Sequence, residues 1–369
     1  MPAIDDLINN AITSGLFPGC ALIVWSGPDV VLNKAWGRLT FAPWSPRVSC
    51  KHTYFDLASL TKPIATACSI MTLASQGRLG LDTTIADILA DVPDDKAGIT
   101  TRQLLSHTSG LAAHRPFYIK WMKETKSGSP PDTNTIINSI LKTSLEYVPG
   151  TRSVYSDLGF MLLSCMAEKI TGMKFQDIVN ISVFEPLSST DIKGAPHIKN
   201  STPLNRIAPT GICPFEHRII QGETNDLNAR AAGGLMGHAG LFGTAEAVSD
   251  LLARLVQIYH GAIEIKNFSR AVLKKFWTKD DKTPQSTWAL GFDTPSCENS
   301  SAGHHFSEKS VGHLGFTGTS FWIDLEKHII VVFLANRTFP RATQQGQEAM
   351  KMFRPILHDT IMKSLGPTP

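Results

Sequence analysis

The sequence predicts an α+β fold in which one antiparallel sheet is built from both ends of the chain. Short runs rich in β-branched and aromatic residues occur near the amino end and again in the last third of the 369 residues. The long region between them shows helical periodicity instead. Because apolar residues at helical spacing also open and close the chain, we expect terminal helices on one face of the sheet and an inserted helical lobe.

The elements of the first part follow from local patterns. Residues 4–15 place apolar side chains at helical spacing and end at a glycine, which predicts a short amphipathic helix. Residues 21–25 and 30–36 are β-rich and flank a Gly-Pro-Asp turn, which predicts a hairpin. The apolar run from residue 59 to residue 76 predicts a helix that stops at Gly77.

The sequence pattern in the middle of the chain predicts mainly helix. Helices are predicted over 100–106, 157–170 and 245–259, and Asp157 is the candidate N-cap of the second of these. Residues 186–240 are rich in Gly, Pro, Asn and Thr, which predicts long irregular connections.

The last third returns to β-type sequence. Strands are predicted over 288–292, 321–324 and 328–334, with tight turns between them, and a helix over 344–364 closes the chain. We expect a functional cleft between the sheet and the helical lobe.

We interpret residues 1–369 as a single domain with two lobes. The sheet lobe would comprise about residues 1–58 and 285–369, and the helical lobe about residues 59–284.

Composition narrows the partners that the protein can have. Hydrophobic residues make up 42% of the chain and charged residues 18%, which is enough to build a large core. The net charge of +3 is too small to indicate nucleic-acid binding, and no Lys/Arg-rich run supports such a partner.

The cysteines and the termini give three further expectations. No two of the six cysteines lie two or three residues apart, so no zinc or redox motif is indicated, and we expect neither a metal nor an organic cofactor. The amino terminus lacks the pattern of a signal peptide, and no apolar run reaches membrane-spanning length. We therefore predict a cytoplasmic protein without a membrane partner, or a periplasmic one if a leader was removed.

Ser59-Leu60-Thr61-Lys62-Pro63 carries the strongest chemical signal. A serine and a lysine three residues apart share one face of a helix, so the amine can reach the hydroxyl. This arrangement supports a nucleophile that forms an acyl-enzyme. Pro63 places the helix start close to Ser59, because proline belongs in a first turn. The alternative is an ordinary serine N-cap.

Ser139 and Lys142 have the same spacing. They lie late in a polar helical stretch, and no proline fixes a helix start beside them. Spacing alone therefore does not identify the nucleophile.

Two further stretches contain residue types that can take part in catalysis. Tyr155 precedes a predicted helix and can point its phenol into a cleft, where a nearby cation would lower its pKa and allow general base or acid chemistry. Residues 313–319 combine histidine, glycine and threonine ahead of a predicted strand, and such an edge can bind a substrate amide or offer an N–H to an oxyanion. The alternatives are a packed tyrosine and a glycine-rich hairpin turn.

Taken together, these motifs resemble the serine β-lactamase-like superfamily, which includes class C β-lactamases, low-molecular-weight penicillin-binding proteins and family VIII carboxylesterases. Ser59-x-x-Lys62, Tyr155-x-Asp157 and His313-x-Gly315 occur in the order and rough spacing of that superfamily. The resemblance runs from about residue 3 to residue 360 and is supported by stretches 104–111, 155–160, 233–242 and 312–324.

The resemblance implies a β-lactamase/transpeptidase-like fold and a role for each motif residue. Ser59 would be the nucleophile, Lys62 a base and electrostatic partner, and Tyr155 the proton shuttle to the leaving group. The backbone N–H groups of Ser59 and Phe316 would form an oxyanion hole. His313 and Gly315 would line the strand beside the site.

Two residues depart from the family pattern. Asp157 stands where many relatives have asparagine, and a nearby carboxylate should raise the pKa of Lys62, which shifts the base role toward Tyr155. His313 stands where β-lactamases and penicillin-binding proteins carry lysine. Because histidine is mostly neutral at pH 7, this argues against efficient β-lactam hydrolysis.

We therefore predict a serine hydrolase that acts through an acyl-enzyme on Ser59, with small esters or amides as first-ranked substrates. D-alanyl-D-alanine carboxypeptidase or penicillin-binding activity ranks second, and weak class C β-lactamase activity third. A catalytically silent ligand-binding or sensor module is the non-enzyme alternative.

Overall fold

A computed structural model of the chain describes residues 1–124, 129–213 and 217–366. Its main sheet has five antiparallel strands in the order β2-β1-β10-β9-β8. Strands β1 (Gly19–Ser26) and β2 (Asp29–Gly37) form the predicted hairpin, and the other three are β8 (Ser310–Leu314), β9 (Ser320–Asp324) and β10 (Ile329–Ala335). The prediction of one sheet built from both ends of the chain is confirmed.

The three interior strands of the sheet, β1, β10 and β9, are buried on both faces over most or all of their length. Along β1, Cys20, Leu22 and Val24 join one apolar cluster, while Ala21 and Ile23 join another. Successive strand residues point to opposite faces, so a strand covered on both sides is apolar throughout. This explains why β1 reads as a continuous hydrophobic run instead of an alternating one.

The terminal helices cover one face of the sheet, as the sequence predicts. Helix α1 (Pro2–Thr13) buries Ile4, Ile8 and Ala11, and helix α13 (Gln344–Leu365) packs beside it. Residues spaced three or four apart share one face of a helix, and that face meets the sheet.

The other face packs against the predominantly helical region. Its α-helices are α2 (Cys68–Ser75), α3 (Asp94–Ala97), α4 (Thr101–Leu105), α5 (Tyr118–Glu124), α6 (Thr133–Leu141), α7 (Asp157–Thr171), α8 (Phe175–Val179), α9 (Ala195–Ser201), α10 (Leu227–Ala231), α11 (Ala245–His260) and α12 (Arg270–Phe276). Short strands β3 (Phe55–Asp56), β4 (Ile192–Gly194) and β7 (Leu241–Gly243) form a second sheet, and β5 (Gly211–Ile212) pairs with β6 (Ile219–Ile220). The lobe boundaries given above stay a prediction.

Three local expectations were wrong. Residues 288–292 form no strand, because Gly291 adopts a φ of +87° and turns the chain, which leaves a single bridge between Trp288 and Asp293. The N-cap of α7 is Ser156 and not Asp157, since the Ser156 hydroxyl accepts the N–H of Gly159. The described residues of 186–240 also contain two short α-helices, one 3-10 turn and three short strands among their irregular connections.

Within the described residues, no helix combines the length and the apolar character needed to cross a bilayer.

Candidate active site

Ser59 lies on a strained turn at the edge of the helical region. A 3-10 turn (Ala58–Leu60) leads into a π-helical segment (Lys62–Ala67) and then into α2, so the expected single helix has three segments. Ala58 has a φ of +48°, a conformation that costs energy for any residue with a Cβ. Strain of this kind recurs at functional sites, and here it directly precedes the serine.

The Lys62 ammonium is fully buried and uses all three of its donors. It donates to Ser59 Oγ at 3.1 Å, to Asp157 Oδ1 at 2.7 Å and to the carbonyl oxygen of His238 at 3.2 Å. The amine and the hydroxyl therefore meet, as their spacing predicts.

The charge of Lys62 is set by its neighbours. Burial alone lowers the pKa of this amine, but Asp157 and Tyr155 outweigh burial, and the pKa stands above its ordinary value. The expectation that Asp157 raises the pKa of Lys62 is confirmed. At neutral pH the Lys62 amine is therefore held as a cation.

Tyr155 lies beside this cation and is about one third exposed. Lys62 Nζ is 4.7 Å from the centroid of the Tyr155 ring. The ring also packs against His107 and Trp288, with centroid separations of 4.6 and 5.6 Å. These aromatic neighbours hold the phenol at the mouth of the site.

The expected fall in the Tyr155 pKa was wrong. Although part of the residue is exposed, desolvation of the phenol within the cleft raises its pKa above the ordinary value, and Lys62 and Ser59 each act to lower it. Desolvation disfavours the phenolate more than the nearby cation favours it.

Asp157 is the counterion of Lys62. Burial would raise the pKa of this carboxyl, but Lys62, His114 and His238 together hold it far below its ordinary value. His114 Nδ1 lies 3.5 Å from Asp157 Oδ2, and this contact raises the pKa of His114. The pair of Asp157 and Lys62 is therefore ionised across the neutral range.

His313 is a neutral, buried group on the edge strand β8. Burial, and to a smaller extent Lys62, lowers its pKa to about 3, and its Nδ1 lies 2.8 Å from the Leu314 carbonyl oxygen. The imidazole centroid is 6.0 Å from that of Tyr155. The expectation of a neutral histidine in place of a cation is confirmed.

The turn between β8 and β9 presents a backbone donor beside Ser59. Within the described part of the chain, neither the N–H of Ser59 nor that of Phe316 has a hydrogen-bond acceptor, and both residues line the cleft. A Cβ on Gly315 would lie 1.9 Å from Thr319 Oγ1 and 2.8 Å from the Leu57 carbonyl oxygen. Glycine is required at residue 315 because the two turns pack this closely.

Asp56 joins these two turns, and sequence reasoning missed it. Its carboxylate accepts the N–H groups of Ala58 at 2.8 Å and Asn225 at 2.7 Å, while its carbonyl oxygen accepts the hydroxyl of Thr317. Burial, opposed by these hydrogen bonds, raises the pKa of Asp56 to about 6. No sequence pattern marks this residue, because its partners lie up to 261 positions away.

His238 and Asp226 were also missing from the predicted site. His238 Nε2 lies 2.9 Å from Asp226 Oδ1, and both residues line the cleft. The only sequence signal was the glycine-rich stretch around His238.

The same cluster contains the residues that could hold a cation. One donor atom each from Asp157, Asp226 and His238 lies within 4.8 Å of the others. Lys62 already neutralises Asp157, and a second positive charge beside its ammonium would be repelled. We therefore assign no metal here, and the expected absence of metal and cofactor stays a prediction.

All seven predicted site residues lie around one cleft of about 810 Å³. Six of them line the cleft directly, and Lys62 lies beneath Ser59 with no exposed surface. Three basic residues, Arg337, Lys351 and Arg354, also line the cleft, and both arginines contact the turn that carries Phe316. This geometry can present a nucleophile, a cation, a phenol and two backbone donors to one carbonyl carbon.

The sequence matches the family described as Beta-lactamase over residues 4–351, and the chain belongs to that family. A putative D-alanyl-D-alanine carboxypeptidase from Escherichia coli O157:H7 is 30% identical over 361 residues, which span 90% of this chain and 81% of the relative. An N-acetylmuramyl-L-alanine amidase from Bacillus subtilis is 30% identical over 360 residues, with 90% and 80% covered.

Solved structures share the fold at lower identity. The octameric penicillin-binding protein homologue from Pyrococcus abyssi superposes with a TM-score of 0.75 at 20% identity, over 100% of this chain and 78% of that one. EstCE1, a hydrolase with promiscuous acyltransferase activity, gives 0.72 at 20% identity, over 95% and 97%. The predicted fold class is confirmed.

The family and its relatives define this protein as a serine hydrolase. The prediction of an enzyme is confirmed, and the alternative of a silent binding module is set aside.

Proposed function

We propose that the protein cleaves a small ester or amide through an acyl-enzyme on Ser59. The observation that carries the proposal is the 3.1 Å contact between Ser59 Oγ and a fully buried lysine amine at the wall of an open cleft. A buried cation at this distance stabilises negative charge on the serine oxygen as it attacks.

The proton of Ser59 would leave through Tyr155. Since Lys62 is held as a cation by Asp157, it donates to Ser59 Oγ and has no lone pair to accept a proton. In this scheme Ser59 Oγ bonds to the substrate carbonyl carbon while its proton passes to Tyr155 in the phenolate form, which is the minor form at neutral pH because the pKa of the phenol is raised. Tyr155 then protonates the leaving alcohol or amine as the bond to the carbonyl carbon breaks.

The tetrahedral intermediate would place its oxyanion between the N–H groups of Ser59 and Phe316. Both donors are without another acceptor in the described residues, so they need not exchange an existing hydrogen bond for the new one. Water would then attack the acyl-enzyme carbonyl carbon with Tyr155 as base. As the bond from that carbon to Ser59 Oγ breaks, Tyr155 would pass the proton it took from water to Ser59 Oγ, which releases the acid and restores both residues.

Two substrate classes follow from the surroundings of the cleft. The neutral His313 provides no fixed charge on the edge strand, which favours an uncharged acyl or leaving group and therefore an ester. The carboxypeptidase relative favours a second candidate, a peptide with a terminal carboxylate, and Lys351 in the lining of the cleft could bind that group. Comparison of kcat/KM for short esters and for D-alanyl-D-alanine peptides separates them, and we expect the esters to be preferred.

Hydrolysis of p-nitrophenyl acetate tests the proposal, because the chain contains its own matched control. Ser59→Ala should reduce turnover to background, whereas Ser139→Ala should retain wild-type turnover. Ser139 Oγ accepts a hydrogen bond from Trp121 Nε1 and donates one to the Thr135 carbonyl oxygen. Equal activity of the wild type and Ser59→Ala would refute the role of Ser59.

Two expectations stay predictions. They are the cytoplasmic location and the absence of a nucleic-acid or membrane partner.

A further inference from the structure

Arg354 is a buried cation directly behind the turn that carries the Phe316 donor. It extends from α13 with only 6% of its surface exposed. Its Nη2 donates to the carbonyl oxygen of Gly315 at 2.8 Å and to that of Thr319 at 2.9 Å. One guanidinium nitrogen therefore joins the two ends of the turn.

The first of these contacts has a chemical consequence. The Gly315 carbonyl and the Phe316 N–H belong to the same planar peptide group. A cation bonded to the carbonyl oxygen draws electron density through the amide and makes its N–H a stronger donor, as in other hydrogen-bonded chains. The peptide thus links Arg354 to the position where the oxyanion would form.

The charge of Arg354 is not neutralised nearby. No carboxylate within the described residues forms an ion pair with it, and its Nε is buried without a partner. Burial, together with Arg337, lowers the pKa of Arg354 to about 9, which still leaves it cationic at neutral pH. An uncompensated buried charge is costly, so its retention needs a reason.

We propose that Arg354 is a positioning residue that polarises the Gly315–Phe316 peptide and so strengthens the oxyanion donor of the enzyme. This inference deepens the proposed function and rests on it, because it requires an oxyanion to form at Phe316. Arg354 touches neither Ser59 nor the reacting carbon and acts only through the backbone.

Arg337 provides the comparison that isolates polarisation from support of the turn. Its Nε donates to the Phe316 carbonyl oxygen at 3.0 Å, and its guanidinium lies 4.7 Å from the Phe316 ring centroid. That carbonyl belongs to the next peptide, whose N–H is on Thr317. Arg337 supports the same turn, but it does not polarise the Phe316 N–H.

The test compares Arg354→Met, Arg354→Lys and Arg337→Met in the full chain. For Arg354→Met we expect kcat/KM for p-nitrophenyl acetate to fall about tenfold, a fraction of the 10²- to 10³-fold loss on removing a whole oxyanion donor. Affinity for phenylboronic acid, which forms a tetrahedral anion on the serine, should fall in parallel. Arg354→Lys should recover part of both losses, and Arg337→Met should lose less than Arg354→Met in both.

The infrared carbonyl stretch of a trapped acyl-enzyme distinguishes polarisation of the peptide from structural support of the turn. A purely structural role would not shift the stretch in the order of variants expected for polarisation. Weaker donation should shift the stretch to higher frequency in Arg354→Met, less in Arg354→Lys and least in Arg337→Met. If Arg354→Met does not fold, the comparison of wild type with Arg354→Lys still decides.

An unchanged stretch and rate in the Arg354 variants, or an equal change in Arg337→Met, would overturn the inference while leaving the serine mechanism intact. Failure of the wild type to form any adduct on Ser59 would instead overturn the proposed function.

Discussion

Two serine and lysine pairs with the same spacing have opposite surroundings in this molecule. Lys62 is fully buried, contacts Ser59 and is paired with Asp157 at 2.7 Å. Lys142, at the end of α6, is exposed and has no ion-pair or hydrogen-bond partner for its amine within the described residues. Ser139 is engaged by its own helix and by Trp121.

The difference shows that spacing permits the contact and tertiary structure decides it. A lysine three residues after a serine reaches the hydroxyl only when burial and a counterion hold the amine there. Asp157, 95 positions further along, supplies that counterion. The same tetrapeptide pattern is otherwise an ordinary feature of a helix surface.

The largest expected loss of activity comes from substitution of Lys62, with the same substitution of Lys142 as its control. Lys62→Met should reduce kcat/KM for an ester about 10³-fold, within the range for general acid–base and electrostatic groups. It should also cost about 3 kcal/mol of unfolding free energy, because the buried Asp157 carboxylate loses its main counterion. Kinetics and urea unfolding measure the two effects.

Lys142→Met is the matched control. It should leave kcat/KM nearly unchanged and should change the unfolding free energy by no more than about 0.5 kcal/mol, as for other exposed positions. If Lys62→Met retained more than a tenth of wild-type activity, the proposed functional difference between the two serine and lysine pairs would be contradicted.

The next effect concerns the phenol beside the first pair. Tyr155→Phe should cost about 10²-fold or more in rate, because the ring keeps its packing and only the proton carrier is lost. Tyr147→Phe removes a hydroxyl that donates to the His107 carbonyl oxygen and should leave the rate nearly unchanged. A loss below about threefold in Tyr155→Phe would move the base role to Lys62.

The smallest expected effect is a shift in the pH dependence of kcat/KM. Asp157 raises the pKa of both Lys62 and Tyr155. Asp157→Asn should therefore lower both pKa values and make the basic form available at lower pH, whichever residue is the base. The rising limb of kcat/KM against pH should move to lower pH.

Asp226→Asn is the comparison for this shift. Asp226 carries a similar charge but is not among the groups that chiefly set the pKa of Lys62 or Tyr155, so its substitution should move the profile less. A shift of Asp157→Asn to higher pH would contradict the assigned charges.

Much of the fold could be predicted because it depends on local periodicity. The terminal helices and the strands β1, β2, β9 and β10 follow from the spacing of apolar residues, which tertiary packing preserves. Residues 288–292 were misassigned because their apolar and aromatic side chains suit a strand, while Gly291 turns the backbone.

The candidate site could be predicted in its motif residues and not in its supports. Ser59, Tyr155 and His313 lie in recognisable local patterns, and the cleft brings them together. Asp56 and Arg354 act through backbone atoms of distant turns, and such contacts leave no periodic trace in the sequence. The Tyr155 pKa was misjudged because burial cannot be read from a motif.

Mass spectrometry of the enzyme after reaction with a slowly released ester or a β-lactam identifies the residue that carries the acyl group. We expect one acyl group on the peptide that contains Ser59 and none on the peptide that contains Ser139. An adduct on another residue, or continued turnover in Ser59→Ala with no adduct in the wild type, would contradict it.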